Sequence, residues 1–349
     1  MKLLLPNPRG FCAGVSMAID VVDQVLDLCP GEAVYVYHDI VHNTHVVNRF
    51  RDRGVIFVED VDLVPSGAIV VFSAHGIPPS VRQRAVDRGL RVIDATCPLV
   101  TKVHNEAIRY AKLGYQILLV GHKEHQEIIG TRGEAPDATQ VVESPEDIPH
   151  LHIDDPHKLV YLTQTTLSTD DAAVIIDALR AAFPHIKSPP SEDICYATTN
   201  RQHAVRTLAP MCDLTLVVGS TNSSNSKRLT EISGHAGTPG KLIDDASQID
   251  HGWCGSADDT VLITAGASAP EDLVAQVCRT LLDRYGGEIQ ACDVFEEDVY
   301  FAQPAGLKKM MRAQGIDPKS RAIRVTKPTV SAEIYGATAL TISAPERRA

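Results

Sequence analysis

The 349-residue sequence contains no run of roughly 18 apolar residues, the length an apolar helix needs to cross a bilayer. Its start has one lysine and a short leucine run before two prolines, which is not the layout of a secretory signal. A basic stripe is also missing. The formal net charge is −11, and the densest basic stretch, "VRQRAVDRGLR", fits one exposed helix face, so nucleic acid is not an expected partner. None of the eight cysteines forms a Cys-x-x-Cys pair. These absences describe a soluble, cytoplasmic chain with no membrane partner, in which disulfides are not expected. An anionic ligand would have to be met by local donors or helix N-termini. The chain is 44% hydrophobic, enough for real cores, and its length suits two or three domains.

What is present is a plan repeated around three of the cysteines. Cys12 lies in "RGFCAGVSMAIDVV", between a short apolar strand and a helical pattern that puts Val15, Ile19 and Val22 on one face. Cys97 lies in "VIDATCPLVTKVHNEAIRYAKLG", where Pro98 suits the first helical turn. Cys195 repeats the setting in "DICYATTNRQHAVRTLA". The cysteines are 85 and 98 positions apart. A strand ends in "YHDIVHNTHV", then in "LLVGHKEHQE", then in "LVVGSTNSSNS"; a second ends in "VVFSAHGIPP", "VYLTQTTLS" and "VLITAGASAPE". Each unit therefore reads cysteine, helix, strand, polar loop, helix, strand, polar loop. That is an α/β unit with a parallel sheet. The units are residues 14–96, 97–193 and 194–285, with residues 1–13 reaching a central site and 286–349 as a closing segment and tail.

Ligands of parallel sheets bind beyond the carboxyl ends of the strands. If the three units meet with those ends inward, the polar loops share one cavity and the three cysteines converge on it. The other five lack this setting: Cys29 and Cys212 read as helix-end or core residues, and Cys254, Cys278 and Cys292 as helical or connecting. Helix N-termini favour thiolate, and three thiolates at one point suit a metal or an iron–sulfur cluster. Zinc would want a fourth Cys or His, which is not evident. A [4Fe–4S] cluster with only three cysteines leaves one iron open, a Lewis acid for a substrate oxygen.

The loops supply the remaining chemistry. His42, His75, His122 and His125 all follow strands, and "NSSN" precedes a helix. Imidazoles, hydroxyls and helix-start N–H groups are what a phosphate group requires. The "GSTNSSNSKRL" loop lacks the P-loop lysine pattern, which disfavours a nucleoside triphosphate. Glu127 shares its loop with His125. A carboxylate there would repel an anion, so a proton donor with a raised pKa fits better. Thr165 and Thr166 can relay that proton or bond a substrate alcohol, or simply form a turn. "HKEHQE" also permits a zinc-dependent phosphate-ester hydrolase, although it lacks His-Glu-x-x-His order; a phospho-ligand sensor with a redox cluster is a third reading.

The motifs "NPRGFCAGV", "VHN", "SAHG", "DATCPLVTKVH", "YLTQTTLS", "DICYATTNRQ", "GSTNSSNS" and "TAGASAPE" resemble, in order, those of the 4-hydroxy-3-methylbut-2-enyl diphosphate reductases, the last enzymes of the methylerythritol phosphate route to isoprenoids. The resemblance runs from Pro6 to about Pro270. It implies three α/β domains as a pseudo-threefold trefoil around one [4Fe–4S] cluster held by Cys12, Cys97 and Cys195, with one open iron. It implies a diphosphate among His42, His75, His125, Ser223, Ser224, Asn225 and Ser268, Glu127 as proton donor, and Thr165 near the substrate hydroxyl. The implied reaction is a two-electron, two-proton dehydroxylation giving isopentenyl and dimethylallyl diphosphates, with electrons from ferredoxin or flavodoxin. The sequence departs from the family at Gln126, where proline is usual, and at Glu134, where glutamine is usual. Past about Leu307 it runs beyond the family's closing segment, and a loosely ordered tail is expected.

Overall fold

The computed structural model describes residues 1–321 and 330–343. In chain order the strands are β1 (Lys2–Asn7), β2 (Val34–Tyr37), β3 (Ile56–Val58), β4 (Ile69–Phe72), β5 (Arg91–Asp94), β6 (Gln116–Val120), β7 (Thr139–Val142), β8 (Leu159–Thr163), β9 (Leu214–Val218), β10 (Gly240–Ile243), β11 (Thr260–Ala265), β12 (Glu288–Asp293) and β13 (Ala339–Ser343). The helices are α1 (Ala13–Leu28), α2 (Thr44–Asp52), α3 (Pro79–Asp87), α4 (Pro98–Lys112), α5 (Gln126–Glu134), α6 (Thr169–Ala182), α7 (Tyr196–Leu208), α8 (Ser224–His235), α9 (Glu271–Tyr285), α10 (Ala305–Ala313) and the single turn α11 (Ala332–Tyr335). No described helix is long and apolar enough to cross a membrane.

The central strands are runs such as IVVF, LVYLT and LTLVV, buried along their whole length. Continuous apolar strands of this kind belong in parallel sheets covered on both faces. Three such sheets form, ordered β3-β2-β4-β5, β7-β6-β8 and β10-β9-β11-β1-β12-β13. All their pairings are parallel. The second sheet gains a further parallel bridge, Val160 with Lys187, at its β8 edge.

Aligned this way, the sheets show why the first cysteine comes so early. The chain beside β4 is β5, which leads to Cys97; beside β8 it is the Lys187 segment, which leads to Cys195; beside β11 it is β1, which leads to Cys12. The opening strand completes the third sheet, whereas the helix that follows it packs in the core of the first. The sequence placed residues 1–13 only as a segment reaching the centre; sheet membership is set by pairing with β11 and β12, more than 250 residues away, which local periodicity does not report.

Two expectations need correction. The segment after Leu307 is not a loose tail over its described part. Leu307 and Met311, four apart on α10, are buried against α1 and β5, and β13 adds a sixth strand beside β12. The lysines around that apolar pair masked it in the sequence. The tail residues 322–329 and 344–349 lie outside the described residues. Cys292, expected in a helical or connecting stretch, is a buried residue of β12.

If α10 is core, Leu307→Ala should destabilise the protein by about 2–5 kcal/mol, the usual cost of truncating a fully buried leucine. Denaturant unfolding checks this. A loss below about 0.5 kcal/mol, typical of surface positions, would restore the loose-tail reading.

Candidate active site

The three cysteines cap helices at one cavity. Cys12, Cys97 and Cys195 are the N-cap residues of α1, α4 and α7, and all three line the same pocket. Each is tethered in the same way. The backbone N–H of Cys12 donates to Ala267 O at 3.1 Å, that of Cys97 to Ala74 O at 3.0 Å, and that of Cys195 to Thr165 O at 3.0 Å. Those acceptors sit in the loops after β11, β4 and β8, so every cysteine is hung from the loop beside the strand that delivers it. The Cys12 sulfur accepts from Val15 N–H at 3.5 Å, and the Cys195 sulfur from Thr198 N–H at 3.4 Å.

Gly14 keeps the space between two of the sulfurs open. A Cβ there would lie 2.6 Å from Cys97 Sγ and 3.9 Å from Cys12 Sγ. Among the described residues no three His, Cys, Asp or Glu side chains close on a single metal ion. The thiols surround a space rather than a point. Burial opposes the thiolates expected at these helix starts. Burial, with Cys12 nearby, pushes Cys195 up to about 11 and raises Cys97 further. A bound metal reverses this balance, because coordination strips the thiol proton.

Across the cavity, three histidines cluster. His42 stacks on His75 with ring centroids 3.9 Å apart, and His125 stands edge-on to both, at 5.3 Å and 6.2 Å. Burial holds His42 down to about 4 and His125 to about 3, and it places His75 well below its usual range. The rings are therefore neutral at pH 7. His125 Nδ1 accepts from Glu127 N–H at 3.2 Å, so its ring proton sits on Nε2, which has no partner. Both ring nitrogens of His42 and both amide atoms of Asn225 are likewise buried without partners. Ser223 caps α8, leaving that helix start facing the cavity beside Ser224 and Asn225. Ser268 lines the same cavity and donates to His42 O at 2.7 Å, which joins the loops of the third and first sheets. Buried polar atoms without partners are costly, and a cavity ringed with them is built for a polar guest.

Glu127 lies between the two halves. It is the second residue of α5, and its Oε2 accepts from both the N–H and the hydroxyl of Thr165, at 3.0 and 2.8 Å. Burial raises its pKa to about 7, against the opposing pull of those two bonds. With glutamine rather than proline at position 126, the helix still begins at that residue and Glu127 still faces the cavity. Glu134, the last residue of the same helix, has a largely buried side chain that bonds His104 Nδ1 at 3.1 Å.

The structure brings Cys12, Cys97, Cys195, His42, His75, His125, Glu127, Thr165, Thr166, Ser223, Ser224, Asn225 and Ser268 to one cavity. It does not bring His122, whose Nε2 faces Arg228 at 3.4 Å, so "HKEHQE" does not act as one ligand group. Asp39, the carboxylic acid in "YHDIVHNTHV", accepts from Asn222 Nδ2 at 3.3 Å and lies outside the lining. Sequence reasoning missed Tyr196, Thr198 and Phe301, which also line the cavity. Tyr196 and Thr198 were in reach, one and three residues past a cysteine cap. Phe301 was not, because the stretch between β12 and α10 has no period.

The LytB protein family matches residues 3–282. A 4-hydroxy-3-methylbut-2-enyl diphosphate reductase of Rhodopirellula baltica is 50% identical, over 90% of this chain and 98% of its own. One from Hahella chejuensis is 52% identical, over 88% and 98%. The solved structure of the E-1-hydroxy-2-methyl-but-2-enyl-4-diphosphate reductase of Plasmodium falciparum superposes with a TM-score of 0.86 at 41% identity, covering 90% of this chain and 98% of that one.

An anion seated among the neutral histidines stabilises their protonated forms and raises their pKa values. Binding must then take up protons wherever the pH lies above the free-site values and below the bound ones. Inorganic diphosphate should bind with net proton uptake between roughly pH 5 and 6.5, the span below the ordinary histidine value. Calorimetry in buffers of different ionisation enthalpy reads this directly. The same uptake in a variant with His42, His75 and His125 replaced by asparagine would mean that the protons go to the diphosphate itself and not to these rings.

Proposed function

The chain belongs to the LytB protein family, and from that premise we propose how its own residues carry out the reduction. It is an oxidoreductase of isoprenoid biosynthesis that converts 4-hydroxy-3-methylbut-2-enyl diphosphate to isopentenyl and dimethylallyl diphosphates. The observation that carries the residue assignment is that the partnerless polar atoms of His42, His125 and Asn225 share one cavity with a raised-pKa glutamic acid and three cysteine caps.

Cys12, Cys97 and Cys195 would hold a [4Fe–4S] cluster, whose fourth iron no cysteine of this cavity would take. Three thiols without an acid among them suit iron and sulfide, and the room kept by Gly14 supports a group larger than one ion. When bound, this cluster supplies the electrons singly and a Lewis acid for the alcohol end. Ferredoxin or flavodoxin provides those electrons. The cytoplasm, whose thiols stay reduced, suits eight cysteines of which none forms a disulfide. The three units are residues 14–96, 97–193 and 194–285, with β1, β12 and β13 completing the sheet of the third.

His42, His75, His125, Ser223, Ser224, Asn225 and Ser268 hold the diphosphate. Their orphaned atoms gain partners, and the α8 start adds N–H groups and its dipole. That fixes the alcohol end towards Thr165 and Glu127. Breaking the allylic C–O bond would release hydroxide unless a proton arrives, and Glu127, protonated in half or more of the molecules up to its pKa of about 7, supplies it. Thr165 orients both the acid and the substrate hydroxyl. The oxygen leaves as water; two electrons and a second proton, added at either end of the allyl unit, complete the two products.

Turnover with a chemical reductant tests the activity, and Glu127→Gln tests the acid. The variant keeps the shape and should still bind substrate, while kcat falls roughly 10²–10⁴-fold, the usual contribution of a positioned general acid. In the parent, kcat should decline as pH rises through about 7, because the protonated form is the active one. The variant should lack that decline. Near-parental turnover by Glu127→Gln would remove Glu127 from this role.

A further inference from the structure

The family match ends at residue 282, and the curated relatives described above cover about nine-tenths of the chain. A residue beyond that match, Tyr335, is wholly buried in the core of the third sheet, packed with Met1, Leu3 and Leu5. Its hydroxyl donates to Glu271 Oε1 and accepts from Arg9 at 3.3 Å. Arg9 is itself 1% exposed and bonds Glu271 Oε1 through Nε at 3.0 Å and Nη2 at 2.6 Å. Its remaining nitrogen donates to Pro6 O at 3.0 Å and Asn7 Oδ1 at 2.7 Å.

These bonds lie between the two loops that meet at the cavity. Arg9 precedes Cys12 by three residues, and Glu271 follows Ser268 by three. Between them the backbone is close-packed. Gly10 takes a φ of +65°, and a Cβ there would come within 3.1 Å of Ala269 O. Cys12 N–H then bonds Ala267. Arg9 and Glu271 therefore set the path of both loops, and the tyrosine hydroxyl joins the two.

We propose that Tyr335 is a positioning residue: a C-terminal clasp that closes the Arg9–Glu271 pair and so fixes the Cys12 and Ser268 loops against each other. It touches neither substrate nor cluster and acts through that pair. For its effect on the loaded enzyme, the inference rests on Cys12 being a cluster ligand; for the loop itself, it does not.

Tyr335→Phe keeps the ring in the core and removes only the hydroxyl. In the full-length chain freed of metal, alkylation of Cys12 by iodoacetamide, read by peptide mass spectrometry, should speed up roughly fivefold, the change expected for one lost buried hydrogen bond. Alkylation of Cys97 should stay at the parental rate. In the loaded enzyme, iron loss to a chelator should rise by a similar factor, with the melting temperature little changed. Ile334→Ala, which disturbs the same turn but spares the hydroxyl, should leave both rates unchanged. Rates within twofold of the parent in Tyr335→Phe overturn the inference. So does an equal rise at Cys12 and Cys97 with early melting, which would reduce the hydroxyl to general support. A parent that holds no cluster would instead overturn the ligand assignment, and the alkylation result would still decide the clasp.

Discussion

Three backbone hydrogen bonds hold this structure to its purpose: Cys12 to Ala267, Cys97 to Ala74 and Cys195 to Thr165. Each is worth only about 1 kcal/mol net. Their importance is geometric. Each pins a helix-capping cysteine to the loop beside the strand that delivers it, and the same link is made three times at one cavity. The sheets follow from it. β1 must complete the third sheet for Cys12 to hang from the β11 loop, which puts the first strand of the chain beside elements near its end. In the described part of the closing segment, β12 and β13 join the third sheet and α10 packs on the core of the first.

Burial is the second constraint, and it outweighs every other electrostatic influence in the cavity. It keeps His42, His75 and His125 neutral, raises Glu127 despite two hydrogen bonds to Thr165, and raises Cys97 and Cys195 despite their helix starts. Each of these shifts is in the direction a ligand reverses or uses. An anion recharges the histidines, a metal cation deprotonates the thiols, and a leaving hydroxyl takes the acid's proton.

The motifs were legible because their chemistry sits at junctions that sequence marks well. A cysteine before a helix, a proline at its first turn and a polar loop after an apolar strand are local signals, and the three cysteines, His42, His75, His125, Glu127 and Thr165 read from them line the cavity, while Ser268 was reached only through the family resemblance. His122 shows the limit: its place after β6 matches that of His42 after β2, yet only the fold decides that it turns to Arg228. Tyr335 shows another, since it meets Arg9 across 326 positions. Phe301 lies in a stretch without period, and the Leu307–Met311 stripe was hidden among lysines.

The central claim is that these three cysteines, and no others, converge on one cluster. Iron and acid-labile sulfide per chain test it most directly, measured on anaerobically purified protein and on Cys12→Ser, Cys97→Ser and Cys195→Ser, with Cys212→Ser as the control. The account predicts about four irons and four sulfides per chain in the parent and the control, and loss of the cluster in each of the three variants. Full occupancy in any one of the three, or a cluster lost from correctly folded Cys212→Ser, would contradict it.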